Sequence, residues 1–246
     1  MIAPPFPLLP SPAGGKFSLK PFGTMPFGLD KYSPLQEGIN HWFNTSLGVI
    51  STPVVSSWFD TLTGGLIDLA HTVTGNPTLV ADQLNGYPAI VFDGSDVLQG
   101  ALGATYSQPN TIIIICTNPI ANYDFIIDGL DTNTTHGIQW TCAAAYRMKA
   151  PTNKTVGSLT PRAVRFNILS LVYNGASSVF RQNGVAGIIG NVGTDDLTGL
   201  TLGGRFDGAN KGNISVTDVI IVDGQLVTTA LERIEQYFNR KYGGIF

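Results

Sequence analysis

Seven Asn-Gly or Asp-Gly pairs divide this chain into short segments: Asn85-Gly86, Asp93-Gly94, Asp128-Gly129, Asn174-Gly175, Asn183-Gly184, Asp207-Gly208 and Asp223-Gly224. Such pairs tolerate the positive φ that a tight hairpin turn demands. Between them lie β-branched and apolar runs at 89–92, 111–117, 125–127, 138–146, 164–173, 178–181 and 214–222. Many short strands separated by such turns predict an all-β sandwich, barrel or jellyroll. Residues 112–115 are four isoleucines without a polar face, so that strand is expected to be covered on both sides. In 164–168 apolar and polar residues alternate, and Leu169, Leu171 and Tyr173 continue in the opposite phase. A bulge near Ile168 and Leu169 would reconcile the two halves.

One helix interrupts this pattern. Leu231, Ile234 and Phe238 share a face at helical spacing, Glu232 and Glu235 come early, and Arg240 and Lys241 come late, as the helix dipole favours. Thr229 with Glu232 reads as a capping box and Gly243 as a terminator, giving a helix from about 229 to 242.

The first 34 residues differ in kind. They hold eight of the fifteen prolines, with Phe6, Phe17, Phe22, Phe27 and Tyr32 between them. Proline removes backbone donors and fixes φ, so residues 1–37 are expected to be an extended arm ahead of a domain at 38–246. Disordered tails are usually poor in aromatics. The four phenylalanines are therefore expected at a protein interface, against the chain's own domain or a neighbouring chain, with a homo-oligomer as one form.

At 246 residues the chain suffices for one large β domain, and its 43% hydrophobic content is that of a globular protein. Only 13% of residues are charged, so the surface is expected to be built largely from Thr, Ser, Asn and Gly. A net charge of −3 without any Lys/Arg run argues against nucleic-acid binding. No apolar stretch approaches the roughly 18–20 residues of a membrane helix, so membrane insertion is not expected. The start Met1-Ile2-Ala3-Pro4-Pro5 lacks a basic region, and no secretory signal is expected. Cys116 and Cys142 lie in strand-like segments. They are read as buried free thiols, with pairing left open, and no zinc-type ligand spacing is present.

Several blocks, in order, resemble the laminin-G-like (concanavalin A-like) jellyroll modules of phage and bacterial surface proteins. They are Trp58-Phe59-Asp60, the stretch 84–95 containing Asn85-Gly86-Tyr87-Pro88 and Phe92-Asp93-Gly94-Ser95, the strand at 111–117, the hairpin from Tyr173-Asn174-Gly175 to Asn183-Gly184, and the C-terminal Leu202-Gly203-Gly204-Arg205, strand and helix. The resemblance covers roughly residues 55 to 246. It implies a two-sheet antiparallel jellyroll closed by the C-terminal helix. It further implies a non-enzymatic phage virion structural protein: a capsid decoration (cement) protein or a tail or fibre component, partnered by other virion proteins. The alternatives are a carbohydrate-binding, lectin-like module that recognises a surface glycan, and a divergent polysaccharide hydrolase or lyase.

For a hydrolase, a Glu-x-Asp-x-x-Glu strand is missing. The only glutamates are Glu37, Glu232 and Glu235, none on a candidate strand, and Asp124 with Asp128 is the nearest carboxylate pair. For a lyase, His136, Gln139 and Arg147 suit by type alone, and His136 in its Thr/Gly-rich loop is expected to be solvated. His41 and His71 have no motif around them, and neither Gly-x-Ser-x-Gly nor a phosphate-cradling loop occurs. No catalytic, cofactor-binding or metal residue is therefore assigned. The resemblance leaves Ca2+ as a possible ligand, with Asp93 and Asp96, Asp128 and Asp131, or Asp195 and Asp196 as candidates. Turn stabilisation is the default reading of each. Trp140 and Tyr123, with Tyr106, are the candidate glycan platforms.

Overall fold

The computed structural model describes residues 32–51, 53–119, 124–134, 136–141, 145–157, 159, 165–187 and 189–246, without the side chains of 71–73 and 139–141. Phe6, Phe17, Phe22, Phe27, Tyr123 and Cys142, and the side chains of His71, Gln139 and Trp140, lie outside the described residues. Ser33–Phe246 form one compact unit, which opens with a 3-10 turn at Pro34–Glu37.

In chain order the strands begin with β1 (His41–Asn44), β2 (Val49–Ser51), β3 (Val55–Phe59), β4 (Asp68–Thr74), β5 (Thr78–Leu84) and β6 (Tyr87–Asp93). They continue with β7 (Val97–Tyr106), β8 (Asn110–Cys116), β9 (Phe125–Asp128), β10 (Gly137–Thr141), β11 (Ala145–Lys149) and β12 (Lys154–Thr155). The last are β13 (Asn167–Tyr173), β14 (Val179–Gln182), β15 (Val185–Gly187), β16 (Leu197–Leu202) and β17 (Asn213–Val222), before the helix α1 (Thr228–Lys241).

The strands build a two-sheet jellyroll. One sheet runs β15-β14-β13-β8-β17-β6-β5, with β1 added to the far half of β17; the other runs β12-β11-β10-β9-β16-β7-β4-β3-β2. Adjacent named strands pair antiparallel throughout, as in β8 with β13 and β16 with β7. The sheets face each other across an apolar core that includes Trp58, Phe92, Leu98, Ile112, Ile114, Tyr146, Leu171 and Phe180.

Local chemistry sets the hairpins. Asn85 and Gly86 have φ of 50° and 92°, and Asn183 and Gly184 have φ of 52° and 82°. Leu84 pairs with Tyr87, and Gln182 with Val185, so each turn has two residues with both φ positive, the type I′ form. Gly203 is fixed twice over. Its φ is +77°, and a Cβ there would collide with the Phe92 ring. By contrast, 138–146 is not one strand: β10 and β11 form a hairpin, with Thr141 facing Ala145. The expected turn at Asp128-Gly129 also differs, because Asp128 ends β9 and is fully buried.

The eight-stranded sheet is covered on both faces. Ile112 and Ile114 point into the inter-sheet core, while Ile113 and Ile115, equally buried, belong to the opposite face. The expected bulge at Ile168 and Leu169 does not occur, and β13 pairs with β8 in unbroken register from Asn167 to Tyr173. The phase change arises because every residue of β13 is buried, one set against the other sheet and the other beneath α1. The bulge lies elsewhere, in β17 between Val216 and Asp218. Before it Ile214 and Val216 enter the core; after it Val219 and Ile221 do. Asp218 and Ile220 therefore turn outward, toward the helix side.

Leu231, Ile234 and Phe238 are buried, as their spacing predicts. The capping box is absent. Val227 is the N-cap and offers no side-chain bond, and Thr229 already lies inside the helix. The start is set by the preceding loop, which Thr111 holds by donating to Gly224 O at 2.8 Å and accepting from Leu226 N at 3.1 Å. At the other end Gly243 N bonds Arg240 O at 3.1 Å and Gly244 N bonds Asn239 O at 2.8 Å, the paired bonds of a Schellman motif.

Candidate functional site

Two buried ion pairs fasten α1 to the sheet. Glu235 is not a surface residue: it is 1% exposed and accepts from Arg181 Nε at 2.9 Å and Ser170 Oγ at 2.8 Å. Asp218 accepts from Trp42 Nε1 and Asn44 Nδ2, both at 2.8 Å, from Lys241 Nζ at 3.2 Å and from the Tyr242 hydroxyl. Burial pushes the Asp218 carboxyl up, against the pull of Lys241 and these donors. The Lys241 ammonium lies 4.7 Å from the Tyr242 ring centre, 5.4 Å from Phe238 and 5.8 Å from both Trp42 and Tyr87. Such a cage suits an ammonium ligand, and here the chain's own lysine occupies it.

His41, outwardly without a motif, joins Asp60 and Tyr106. Its Nδ1 lies 2.9 Å from Asp60 Oδ2 and its Nε2 lies 2.6 Å from Tyr106 Oη. The array has the form of a proton relay. Burial pushes the Tyr106 phenol up, reinforced by Asp223 and Asp60, which disfavours a phenolate nucleophile. Burial opposes ionisation of Asp60, but bonds from His41, Trp42 N and Leu62 N hold its carboxyl below the usual range. The three side chains clamp β1 to the ends of β3 and β7. Tyr106, only 8% exposed, is therefore no sugar platform. Trp140 is placed only by its backbone, on β10 opposite Tyr146.

Several other sequence candidates sit in structural contacts. His136 is buried rather than solvated, its ring centre 4.3 Å from that of Tyr173. His136 directly precedes β10, a strand of the packed sandwich, and the Tyr173 contact holds the imidazole inward. Asp93 accepts from Ser95 N at 2.8 Å, and Asp96 from Asn76 N at 2.5 Å and Asp93 N at 3.0 Å. Asp131 accepts from Asn133 N at 2.7 Å and Thr134 N at 3.0 Å. Among the described residues no three His, Cys, Asp or Glu side chains group as a metal site. Cys116 is a buried free thiol, and burial pushes its pKa up. Burial pushes Asp128 up to about 6, against Lys149 and the N–H groups of Gly129 and Phe206. Both of its oxygens are taken by those N–H groups, at 3.0 and 3.3 Å.

A cavity of about 480 Å³ opens elsewhere, near the C-terminal end of α1. Its floor carries Thr117, Asn213 and Ser215, where Ser215 N donates to Thr117 Oγ1 at 2.8 Å. The β5–β6 turn brings Gln83 and Asn85, and the approach to β13 brings Arg165 and Phe166. The tail after α1 supplies Gly244 and Ile245. That tail is latched by Asn239, whose Oδ1 accepts from Ile245 N at 2.6 Å and Phe246 N at 3.0 Å. Asn118 completes the lining and accepts from Tyr146 Oη at 2.8 Å. Among the described residues the lining thus combines four amides, two hydroxyls, one aromatic ring and one guanidinium, with no Asp or Glu. None of these residues was a candidate site residue in the sequence, where Asn85 was read only as a turn, because five separate segments contribute them. One signal was there to read. Between Lys31 and Arg147 the chain has nine Asp or Glu and no Lys or Arg, whereas 147–165 has five Lys or Arg and no acid.

No protein-family model and no curated protein matches the chain. Solved structures do. A Trypanosoma rangeli sialidase in complex with sialic acid gives a TM-score of 0.58 at 15% identity, over 85% of this chain and 34% of that one. The binding domain of Paraclostridial Mosquitocidal Protein 1 gives 0.58 at 14% identity, over 83% and 53%. The ligand binding domain of Botulinum neurotoxin serotype D, in complex with N-acetylneuraminic acid, gives 0.57 at 11% identity, over 83% and 53%. The chain spans about a third of the sialidase and about half of the two binding-domain structures. At these identities the likeness shows the fold alone: a β-sandwich of the concanavalin A-like type.

Proposed function

We propose that this chain is a non-enzymatic carbohydrate-binding jellyroll module. The cavity carries this reading. Amides and hydroxyls exchange bonds with sugar hydroxyls, and a half-buried ring such as Phe166 offers an apolar face to a sugar ring. Among the described residues the lining offers a bound glycan no carboxylate to act as general acid or base. Glu37 and Glu235 face Arg233 and Arg181, and Glu232 lies on the helix. Two of the similar solved structures hold sialic acid, which accords with a glycan ligand. A glycan array probed with the purified chain tests the proposal. Wild type should bind a subset of glycans without cleaving them, and Ser215→Trp, which fills the cavity, should lose that binding while melting at a similar temperature. Turnover of a bound glycan, or binding untouched by Ser215→Trp, would overturn it.

A second reading places the module on a phage particle as a capsid decoration protein or a tail or fibre component. It is favoured by the proline-rich start of the chain, with Phe6, Phe17, Phe22 and Phe27 as anchors, and by the low charge content. Removing residues 1–32 should leave a folded sandwich that no longer joins particles lacking the protein. Equal binding by the truncated and full-length chains would sink this reading.

A further inference from the structure

We infer that the cavity's ligand is a carboxylated sugar and that Arg165 is its carboxylate anchor; this rests on the glycan reading above. Arg181, Arg205 and Arg233 each face a carboxylate of the chain itself. Arg165 is exposed, lines the cavity, and has no ion-pair partner among the described residues. A guanidinium presents parallel donors that match the two oxygens of a carboxylate. Among the described residues the lining holds no acid that would repel such a ligand.

The charge pattern of the sequence points the same way. The chain is acidic overall, at −3, yet 147–165 carries five Lys or Arg without one Asp or Glu, and Arg165 ends that run on the cavity wall. Arg165 is the positive charge on that wall, and it draws an anion toward itself. Asn213 and Gln83, whose side chains bond no other described group, are left to read the hydroxyls of the same sugar.

The test is an array of neutral glycans, the same glycans carrying N-acetylneuraminic or glucuronic acid, and sulfated neutral glycans. It is probed with the full chain and with Arg165→Gln, Arg165→Lys and Asn213→Asp. Wild type should prefer the carboxylated forms. Arg165→Gln and Asn213→Asp should each weaken them by about tenfold or more, with Arg165→Lys intermediate. Neutral glycans bound as well as carboxylated ones, with Arg165→Gln silent, would overturn the inference and leave the glycan reading standing. Equal binding of sulfated glycans would replace carboxylate recognition by general anion binding and also overturn it. No binding to any glycan would overturn both.

Discussion

Arg181 and Glu235 meet through two bonds, Nε to Oε1 at 2.9 Å and Nη2 to Oε2 at 3.0 Å, with the Arg181 side chain 6% exposed and that of Glu235 1%. One belongs to β14 and the other to the middle of α1, so the pair fastens the helix to the sheet. Glu235→Gln leaves the buried guanidinium with only the half-exposed Glu232, 3.5 Å away, as counter-charge, and should cost about 3 kcal/mol in denaturant unfolding. The double variant Arg181→Met with Glu235→Leu should lie within about 2 kcal/mol of wild type, since no charge is then stranded. Equal losses in the single and double variants would show that the pair contributes no more than volume.

Phe238 anchors the same helix at 0% exposure, against Trp42 and Tyr242. Phe238→Ala should cost about 3–5 kcal/mol by the same measurement.

Asp128 makes stability depend on pH. Its folded pKa, about 6, lies above the 3.8 of an unperturbed Asp, so the folded state holds the proton more tightly than the unfolded chain does. Its contribution is therefore most favourable below pH 4 and is lost as pH rises through 6. Comparing wild type with Asp128→Asn in denaturant at pH 4 and pH 7 isolates the effect. The variant should gain on wild type by roughly 2–3 kcal/mol between the two values. A difference that does not change with pH would show that Asp128 is ionised throughout.

Asn239 holds the tail that walls the cavity. Asn239→Ala removes its bonds to Ile245 N and Phe246 N and should speed hydrogen exchange at those two amides. Global stability should fall by only about 1–2 kcal/mol, because the helix keeps its Schellman bonds. Glycan binding should weaken in step with the tail's release.

Gly203→Ala should cost more than about 2 kcal/mol, since a Cβ there meets both an unfavourable φ and the Phe92 ring. Thermal unfolding of the single variant is sufficient to check it.

What could be read from the sequence was local. The Asn85-Gly86 and Asn183-Gly184 hairpins, the doubly covered isoleucines and the face of α1 each follow from neighbouring residues and a fixed period. The features that escaped depend on partners far along the chain. Glu235 looks like an ordinary helix-surface acid until β14 brings Arg181 beside it from 54 positions away. His41 has no motif because its partners are Asp60 and Tyr106, 19 and 65 positions on. The change of phase at Ile168 was visible, yet its cause was a second covered face and not a bulge. The true bulge, at Thr217, left a mark that was there to read: Ile214 and Val216 alternate with Ser215 and Thr217, and the polar pair Thr217-Asp218 breaks that phase.

That extra residue in β17 fixes the parity of the strand. Upstream of Thr217, Asn213 and Ser215 look into the cavity; downstream, Asp218 looks toward α1, although an unbulged strand would have turned it into the core. A single-residue insertion or deletion on either side would exchange a wet face for a dry one, setting Ser215 among isoleucines or Val219 beneath the helix. Changes of side chain along β17 are comparatively forgiving, and changes of length are tolerable only in twos. The inheritance of this strand is thus a matter of counting before it is one of chemistry.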